Sequence, residues 1–203
     1  MNKIKFKQKD VTPSKVVCIG RNFVAHIEEL QNEIPSSMVI FNKPNSAITD
    51  KLFFIDENCH YESEISFLVK NSQIIGVGAG LDLTDRTLQS ELKSKSLPWE
   101  RAKAFDNSAV FTNFEPINHD DIPNISMKLY INNILTQQAT VNLMIYKPLE
   151  ILNEIESFMT LEDYDIIMTG TPKGVGKYDK NSKFRLEIFN SNKLIIQKTF
   201  DVI

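Results

Sequence analysis

The apolar positions near the start of the chain change from one period to another. Residues 15–19 form a short apolar run that ends at Gly20, which predicts a strand followed by a turn. Phe23, Ile27 and Leu30 then recur at helical spacing. We therefore predict a strand, a turn and a helix in this order.

Polar and apolar side chains alternate along much of residues 60–70. Tyr61, Ile65, Phe67 and Val69 lie on one side, and the other side carries three polar residues, His60, Glu62 and Glu64. This period of two is typical of a strand with one face in the core and one face outside it. We predict such a half-buried strand.

Three glycines, Gly76, Gly78 and Gly80, follow this segment and predict a glycine-rich turn before Leu81. The residues from about Thr84 onward are mostly helix formers, with no clean stop signal before Pro98. A helix over about residues 84–95 is the expectation.

The second half of the sequence is rich in strand patterns. Polar turn residues separate apolar flanks in residues 127–135 and again in residues 184–200, which predicts two hairpins. Between them, an amphipathic helix should begin near Pro148, because apolar residues recur three to four apart at Leu149, Leu152, Ile155, Phe158 and Met159. Strand and helix do not alternate regularly, so an α+β, strand-rich fold is favoured.

Composition narrows the class of protein further. The 203 residues are 42% apolar and 24% charged, which predicts one folded domain over residues 1–203. The net charge of -3 includes no basic stripe, so we expect no nucleic-acid partner. Neither a signal-peptide core nor an apolar run of about 18 residues occurs, so we expect no membrane association and a cytoplasmic location. Cys18 and Cys59 are predicted to be buried free thiols.

Three carboxylates form a candidate metal site. Glu62 and Glu64 lie two apart on the predicted strand and so share a face, and Asp82 follows the predicted turn that could bring it alongside. Ligands that are all oxygen select hard cations such as Mg²⁺, Mn²⁺ or Ca²⁺. Taken alone, the pair of glutamates is more typical of a solvated strand face than of a metal site.

Other polar residues are candidates for proton transfer and substrate contact. His26 and Glu29 lie three apart on the predicted helix, so a carboxylate can orient an imidazole as a general base, although such a pair is commonly a surface contact. Asp82, Arg86 and Gln89 share a helical face if the helix begins near Asp82. Lys103 is a further candidate, because it lies in an apolar segment where it is either desolvated or snorkelling to the surface. Two glycine motifs are rejected. The loop of residues 169–176 fails the Walker A pattern, and the three glycines at 76, 78 and 80 fail the dinucleotide fingerprint.

Seven ordered blocks of sequence resemble the fumarylacetoacetate hydrolase family, especially its short single-domain members of the acylpyruvase and oxaloacetate decarboxylase type. The blocks are Gly20-Arg21-Asn22-Phe23 with His26 and Glu29, Phe41-Asn42-Lys43-Pro44, Tyr61-Glu62-Ser63-Glu64, Leu81-Asp82-Leu83-Thr84-Asp85-Arg86 with Gln89, Leu97-Pro98-Trp99, Ala102-Lys103-Ala104-Phe105-Asp106 and Thr169-Gly170-Thr171-Pro172-Lys173-Gly174-Val175-Gly176.

The resemblance implies a fold, an assembly and a set of residue roles. The implied fold is a mixed β-sandwich roll in a homodimer. The implied metal ligands are Glu62, Glu64 and Asp82, holding Mg²⁺ or Mn²⁺. The implied roles of the other residues are water activation by His26 and Glu29, catalysis by Lys103 and Gln89, and substrate binding by Arg21, Arg86 and Thr171. Phe23 and Ala25 stand where the family often has tyrosine and an acidic residue, so substrate contacts near them are expected to differ. Most members carry a longer N-terminal region or a second lobe, and without it we expect a small, fairly open site.

The activity that the resemblance implies is hydrolysis of a carbon–carbon bond in acylpyruvate-type 2-oxo acids through an enolate that the metal stabilises. The same site suits oxaloacetate decarboxylation or tautomerisation, and isomerisation or hydration of 2-hydroxydienedioates. A non-enzymatic alternative is a metal or small-molecule binding protein that has lost turnover.

Overall fold

The computed structural model describes residues 1–29 and 35–203. The predicted position of Leu30 on the first helix lies outside the described residues. The strands are β1 (Ile4–Phe6), β2 (Lys9–Val11), β3 (Lys15–Gly20), β4 (Val39–Pro44), β5 (Ile48–Thr49), β6 (Cys59–Tyr61), β7 (Ser63–Lys70), β8 (Gln73–Asp82), β9 (Thr84–Asp85), β10 (Ala109–Phe111), β11 (Glu115–Pro116), β12 (Ile125–Ile131), β13 (Ile134–Thr140), β14 (Ile166–Met168), β15 (Gly176–Lys177), β16 (Lys183–Asn190) and β17 (Lys193–Asp201). The α-helices are α1 (Val24–Glu29), α2 (Arg86–Ser94), α3 (Glu100–Lys103) and α4 (Pro148–Glu156).

Most of these strands belong to two sheets. The larger sheet has the order β4-β3-β14-β7-β8-β10-β5, with β11 on β8, and it is mixed because β14 runs parallel to β3 and β10 parallel to β5. The smaller sheet, β13-β12-β16-β17, is antiparallel. The fold is therefore α+β and strand-rich, as the sequence predicts.

The core has two parts, one on each face of the larger sheet. The larger part joins β7 to the smaller sheet, with residues such as Phe67, Leu129 and Leu186 fully buried. The other part covers the opposite face of β7 with Leu68 and its neighbours Phe111 and Met168. Two-sided burial makes β7 a central strand, and seven of its eight residues are buried.

This burial corrects the prediction of a half-buried strand over residues 60–70. The segment contains two strands, β6 and β7, separated at Glu62, and the polar residues Ser63, Glu64 and Ser66 of β7 are buried together with its apolar ones. The side chains do point alternately to the two faces of the strand, as predicted. Both faces are covered, however, because β7 lies between two apolar clusters.

The prediction of a glycine-rich turn is also wrong. Gly76, Gly78 and Gly80 lie inside the ten-residue strand β8. A Cβ atom at Gly80 would lie 2.7 Å from the ring of Phe111, and one at Gly78 would lie 2.9 Å from the ring of Phe114. The glycines therefore make room for aromatic rings packed against the strand.

The helix predicted from about Thr84 begins at Arg86. Thr84 pairs with β6 as part of a three-stranded sheet, and the Asp85 side chain accepts a hydrogen bond of 2.9 Å from the Leu88 N–H as the N-cap. Asp82 is thus the last residue of β8 and not part of the helical face predicted for it with Arg86 and Gln89.

The predicted hairpins and the last helix are confirmed. Asn132 and Asn133 connect β12 to β13 with positive φ angles of 50° and 67°, as a two-residue turn requires. The helix α4 begins at Pro148 and buries Leu152 and Ile155, whereas Phe158 lies beyond its end and is exposed. Among the described residues, no helix combines the length and apolarity needed to cross a membrane. Cys18 and Cys59 are buried free thiols, as predicted.

Candidate metal centre and active site

Three acidic side chains converge at one end of the larger sheet. Glu62 immediately precedes β7, Glu64 lies on β7, and Asp82 ends the neighbouring strand β8. One oxygen from each carboxylate lies within 4.8 Å of the others, and the three residues are 5%, 2% and 0% exposed. The strand pairing of β7 with β8 brings Asp82 to this place, where the sequence interpretation had invoked a turn.

Three buried or half-buried cations contact two of these carboxylates. Lys103 Nζ lies 2.9 Å from Glu62 Oε2 and 2.5 Å from Asp82 Oδ2, and Arg86 forms an ion pair with Glu62. Lys43 is fully buried, and its Nζ lies 2.8 Å from Asp82 Oδ1. In the described chain no ion pair reaches Glu64, whose Oε2 accepts a 2.7 Å hydrogen bond from the Gly170 N–H.

The pKa values of these groups follow their contacts. Burial, reinforced by Asp82 and Glu62, holds the pKa of Glu64 well above its ordinary value. Burial acts in the same direction on Glu62, but Lys103 and Arg86 outweigh it and keep that pKa far below the usual range. Burial would lower the pKa of Lys103, yet Asp82 and Glu62 raise it, so its ammonium group is held charged.

The donor set fits a hard divalent cation. All three candidate ligands offer carboxylate oxygens, which suit Mg²⁺, Mn²⁺ or Ca²⁺ and not a metal that prefers sulfur or imidazole. A charged Glu64 in this buried place needs a nearby positive charge, and a cation among the three oxygens would supply it. The structure therefore supports the carboxylate triad as a metal site on its own chemistry.

A cavity of about 40 Å³ lies beside the triad and is lined by nine of the ten site residues predicted from the sequence. Those nine are Arg21, His26, Glu62, Glu64, Asp82, Arg86, Gln89, Lys103 and Thr171. Gln89 accepts a 2.7 Å hydrogen bond from Arg86, so helix α2 presents both side chains to the cavity.

Glu29, the tenth predicted residue, lies behind His26. The Nδ1 atom of His26 is 3.2 Å from Glu29 Oε2, and the Gly174 N–H donates to the same carboxylate at 2.9 Å and 3.2 Å. The loop of residues 169–176 thereby holds the glutamate, and the glutamate holds the imidazole. The pair is a surface contact only on the glutamate side, since His26 is 6% exposed.

The sequence interpretation missed several buried polar residues that support the site. Lys43 also donates to Ser108 Oγ at 2.9 Å, and its sequence signal was its position in the Phe41-Asn42-Lys43-Pro44 block. The side chain of Asn22 joins the 169–176 loop by donating to the Thr169 carbonyl at 2.8 Å. Gln137 on β13 contacts both Ser63 and Thr171, and no local pattern in the sequence marks it.

Comparison with known proteins agrees with the fold and the site. The family model "Fumarylacetoacetate (FAA) hydrolase C-terminal" matches residues 15–193. The oxaloacetate tautomerase YcgM of Escherichia coli is 36% identical over 185 residues, which cover 82% of this chain and 84% of that protein. The mitochondrial oxaloacetate tautomerase of Schizosaccharomyces pombe is 38% identical over 185 residues, which cover 80% and 82%.

A solved structure extends the match to the whole chain. A candidate fumarylacetoacetate isomerase/hydrolase from Oleispira antarctica superposes with a TM-score of 0.93 at 33% identity, covering 100% of both chains. The resemblance predicted from the sequence blocks, and the fold type that it implied, are both confirmed. The relatives' names agree better with the tautomerase alternative than with acylpyruvate hydrolysis. This chain belongs to the fumarylacetoacetate hydrolase family.

Proposed function

We propose that this protein is a divalent-metal-dependent tautomerase that interconverts the keto and enol forms of oxaloacetate or a closely similar 2-oxo acid. The observation that carries this proposal is the buried triad Glu62, Glu64 and Asp82, set in one cavity with cationic and hydrogen-bonding side chains. The oxaloacetate tautomerases among the relatives supply the substrate class.

The triad would hold Mg²⁺ or Mn²⁺, which supplies a Lewis acid for the 2-oxo group of the substrate. Lys103 keeps Glu62 and Asp82 in place through its ammonium group. Its raised pKa means that it acts as a fixed positive charge and hydrogen-bond donor, not as a base.

Tautomerisation moves a proton between carbon 3 and the 2-oxo oxygen and breaks no carbon–carbon bond. His26 is the group proposed to carry that proton, because it lines the cavity and is 6% exposed. Its Nδ1 faces Glu29, so Nε2 is the nitrogen left for exchange with the substrate. Glu29, held by Gly174, fixes the ring orientation and favours the charged imidazole that forms after proton uptake.

The substrate carboxylates find donors on the walls of the same cavity. Arg21 and Arg86 offer guanidinium groups, and Thr171 offers a hydroxyl. Gln89 holds Arg86 in its orientation through the 2.7 Å hydrogen bond. These four side chains are proposed to bind and orient the acid.

A second candidate function is hydrolysis of acylpyruvates, which the His26–Glu29 pair favours. An imidazole oriented by a carboxylate can remove a proton from water as readily as from carbon. Oxaloacetate decarboxylation and 2-hydroxydienedioate isomerisation or hydration use the same acid-binding groups. A protein that binds metal or acid without turnover is the remaining alternative.

A panel of substrates distinguishes these functions. The purified protein would receive oxaloacetate, acetylpyruvate and a 2-hydroxydienedioate, each with Mg²⁺, with Mn²⁺ and with EDTA. Enol absorbance reports tautomerisation. Pyruvate formed together with carbon dioxide reports decarboxylation of oxaloacetate, and pyruvate formed together with acetate reports hydrolysis of acetylpyruvate. With metal, we expect the enol absorbance of oxaloacetate to fall rapidly. With EDTA, it should fall no faster than in buffer without protein. No product of carbon–carbon cleavage should form on the same time scale.

A histidine variant tests the proposed proton carrier. His26→Asn should lower kcat about 10²- to 10⁴-fold, the range for losing a general acid–base group, while Mg²⁺ affinity stays unchanged. His119→Asn is the matched control, because His119 is exposed and is not among the residues that line the cavity. Full activity of His26→Asn would contradict the assigned role, and no turnover of any substrate by the wild-type protein would favour the binding alternative.

A further inference from the structure

One buried amide on the smaller sheet reaches across to the site. Gln137 on β13 is 1% exposed, and its Oε1 accepts hydrogen bonds from the Ser63 N–H at 3.0 Å and the Ser63 hydroxyl at 2.8 Å. Its Nε2 donates to Thr171 Oγ1 at 3.0 Å and to the Pro172 carbonyl at 2.9 Å. All the hydrogen-bonding capacity of the amide is thus used.

The orientation of this amide is set by its partners. A backbone N–H can only donate and a carbonyl oxygen can only accept, so Oε1 must face Ser63 and Nε2 must face Pro172. The second hydrogen of Nε2 then points to Thr171. The threonine oxygen is consequently an acceptor towards Gln137, and its own hydrogen is directed elsewhere.

The loop that carries Thr171 lies directly against β13. Gly174 has a φ of +98°, and a Cβ atom there would lie 2.4 Å from the carbonyl oxygen of Thr136, the residue before Gln137. Only a glycine allows this approach. This close packing fixes the distance between β13, which carries Gln137, and the loop that carries Thr171.

The hydroxyl hydrogen of Thr171 has little to bind within the protein. Among the described residues, its acceptor is the Pro172 carbonyl at 3.4 Å, which already accepts the shorter bond from Gln137. Thr171 lines the cavity beside Glu62 and Glu64. An anionic oxygen bound in this cavity would be a far better acceptor.

We infer that Gln137 is a positioning residue that sets the polarity of the Thr171 hydroxyl, so that its hydrogen is offered to a carboxylate oxygen of the bound 2-oxo acid. The inference rests on the proposed function for the class of ligand. Gln137 does not touch the ligand itself. The same amide links Thr171 to Ser63, the residue between the candidate ligands Glu62 and Glu64. It therefore fixes the distance between the hydroxyl that would bind the acid and the strand that would bind the metal.

Equilibrium binding of oxalate with saturating Mg²⁺ tests this inference without requiring turnover. Oxalate presents the two adjacent oxygen-bearing carbons of a 2-oxo acid. Gln137→Met and Thr171→Val should each weaken oxalate binding about tenfold, the lower range for a hydrogen bond to a charged group. The double variant should bind no more weakly than Thr171→Val alone, because Gln137 acts through the hydroxyl. Thr171→Ser, which retains the hydroxyl, should bind as the wild type does.

Gln138→Met is the matched control, because Gln138 is the exposed neighbour of Gln137 on the same strand, and it should change nothing. Calorimetry would follow oxalate, and circular dichroism would check that each variant is folded. In turnover assays Gln137→Met should raise KM more than it lowers kcat.

Four outcomes would overturn the inference. They are unchanged oxalate binding by Gln137→Met, unchanged oxalate binding by Thr171→Val, multiplicative losses in the double variant, and no oxalate binding by the wild-type protein. If Gln137→Met fails to fold, Gln137→Glu replaces it, because glutamate keeps the shape and the acceptor towards Ser63 but has no donor for Thr171, and wild-type oxalate binding by Gln137→Glu would likewise overturn the inference. Turnover of oxaloacetate is measured separately, so the expected binding pattern without turnover would refute the proposed tautomerase function and leave this inference standing.

Discussion

Replacing Glu64 with glutamine should stabilise the metal-free protein and abolish its stabilisation by metal. Glu64 is 2% exposed and lies within 4.8 Å of both other carboxylates. Glutamine has the same shape and can still accept the hydrogen bond from Gly170 through its amide oxygen. The substitution therefore removes an acid whose charged form is disfavoured in the metal-free protein, with little loss of packing.

The magnitude follows from the separation of the charges. Two like charges 4.8 Å apart repel by about 3.5 kcal/mol at an effective dielectric constant of roughly 20. Attraction of Glu64 to Lys103 offsets part of this repulsion, so we expect a net gain of about 1–3 kcal/mol. For a chain of this length that gain corresponds to a rise in Tm of roughly 2–12 °C in EDTA.

The metal should stabilise the wild-type protein and leave the stability of Glu64→Gln almost unchanged. Mg²⁺ at about 100 times its Kd should add roughly 2.7 kcal/mol to the wild-type stability and almost nothing to that of Glu64→Gln. Thermal unfolding followed by circular dichroism, in EDTA and over a Mg²⁺ titration, measures both effects.

Glu187→Gln provides a matched control, because Glu187 is also a buried glutamate but lies 3.0 Å from Arg185 on the smaller sheet. It should lose stability in EDTA and keep the full response to Mg²⁺. The reasoning would be refuted if Glu64→Gln melted below the wild type in EDTA, or if Mg²⁺ still raised its Tm by the wild-type amount.

Three further substitutions test the packing and electrostatics of the fold and of the site. Gly80→Ala should cost about 1–3 kcal/mol in urea unfolding, because the new methyl group would lie 2.7 Å from the ring of Phe111, and an unchanged midpoint would contradict this packing. Asp165→Asn should cost about 1–3 kcal/mol at neutral pH. Burial would raise the pKa of Asp165, but hydrogen bonds that include those from Lys15 lower it below 3.8. The stability that the charged Asp165 contributes is therefore present above pH 3.8. In acid unfolding below that pH, the difference between Asp165→Asn and the wild type should vanish. Gly170→Ala should weaken Mg²⁺ binding in calorimetry, because φ is +96° and the Cβ atom would lie 2.9 Å from Asn22, and wild-type affinity would show that the Gly170 N–H is not needed to orient the metal-binding carboxylate.

Local patterns in the sequence predicted those elements whose conformation depends on their own residues. The Asn132-Asn133 turn adopts positive φ angles that asparagine tolerates well, so the hairpin could be read from two residues and their flanks. The helix α4 begins at Pro148, whose ring fixes a helical φ and whose missing N–H costs nothing there.

Patterns that depend on distant partners were misread. Alternation over residues 60–70 predicted an exposed face, but both faces of β7 are covered by apolar clusters far apart in the chain. The three glycines suggested a turn, whereas their role is set by the rings of Phe111, at the end of β10, and of Phe114, which follows it. Nothing local to β8 distinguishes a glycine that bends the chain from one that admits a ring.

The sequence by itself determined which residue types form the site, their order along the chain, and the membership of the chain in the fumarylacetoacetate hydrolase family. All three can be recognised from blocks of adjacent residues. Tertiary structure alone decided how the blocks meet. Strand pairing places Asp82 opposite Glu62, two residues from Glu64, and β13 brings the otherwise unremarked Gln137 to Thr171. These contacts span 34 residues between Gln137 and Thr171 and 74 between Gln137 and Ser63, and no period along the chain records an interaction over such distances.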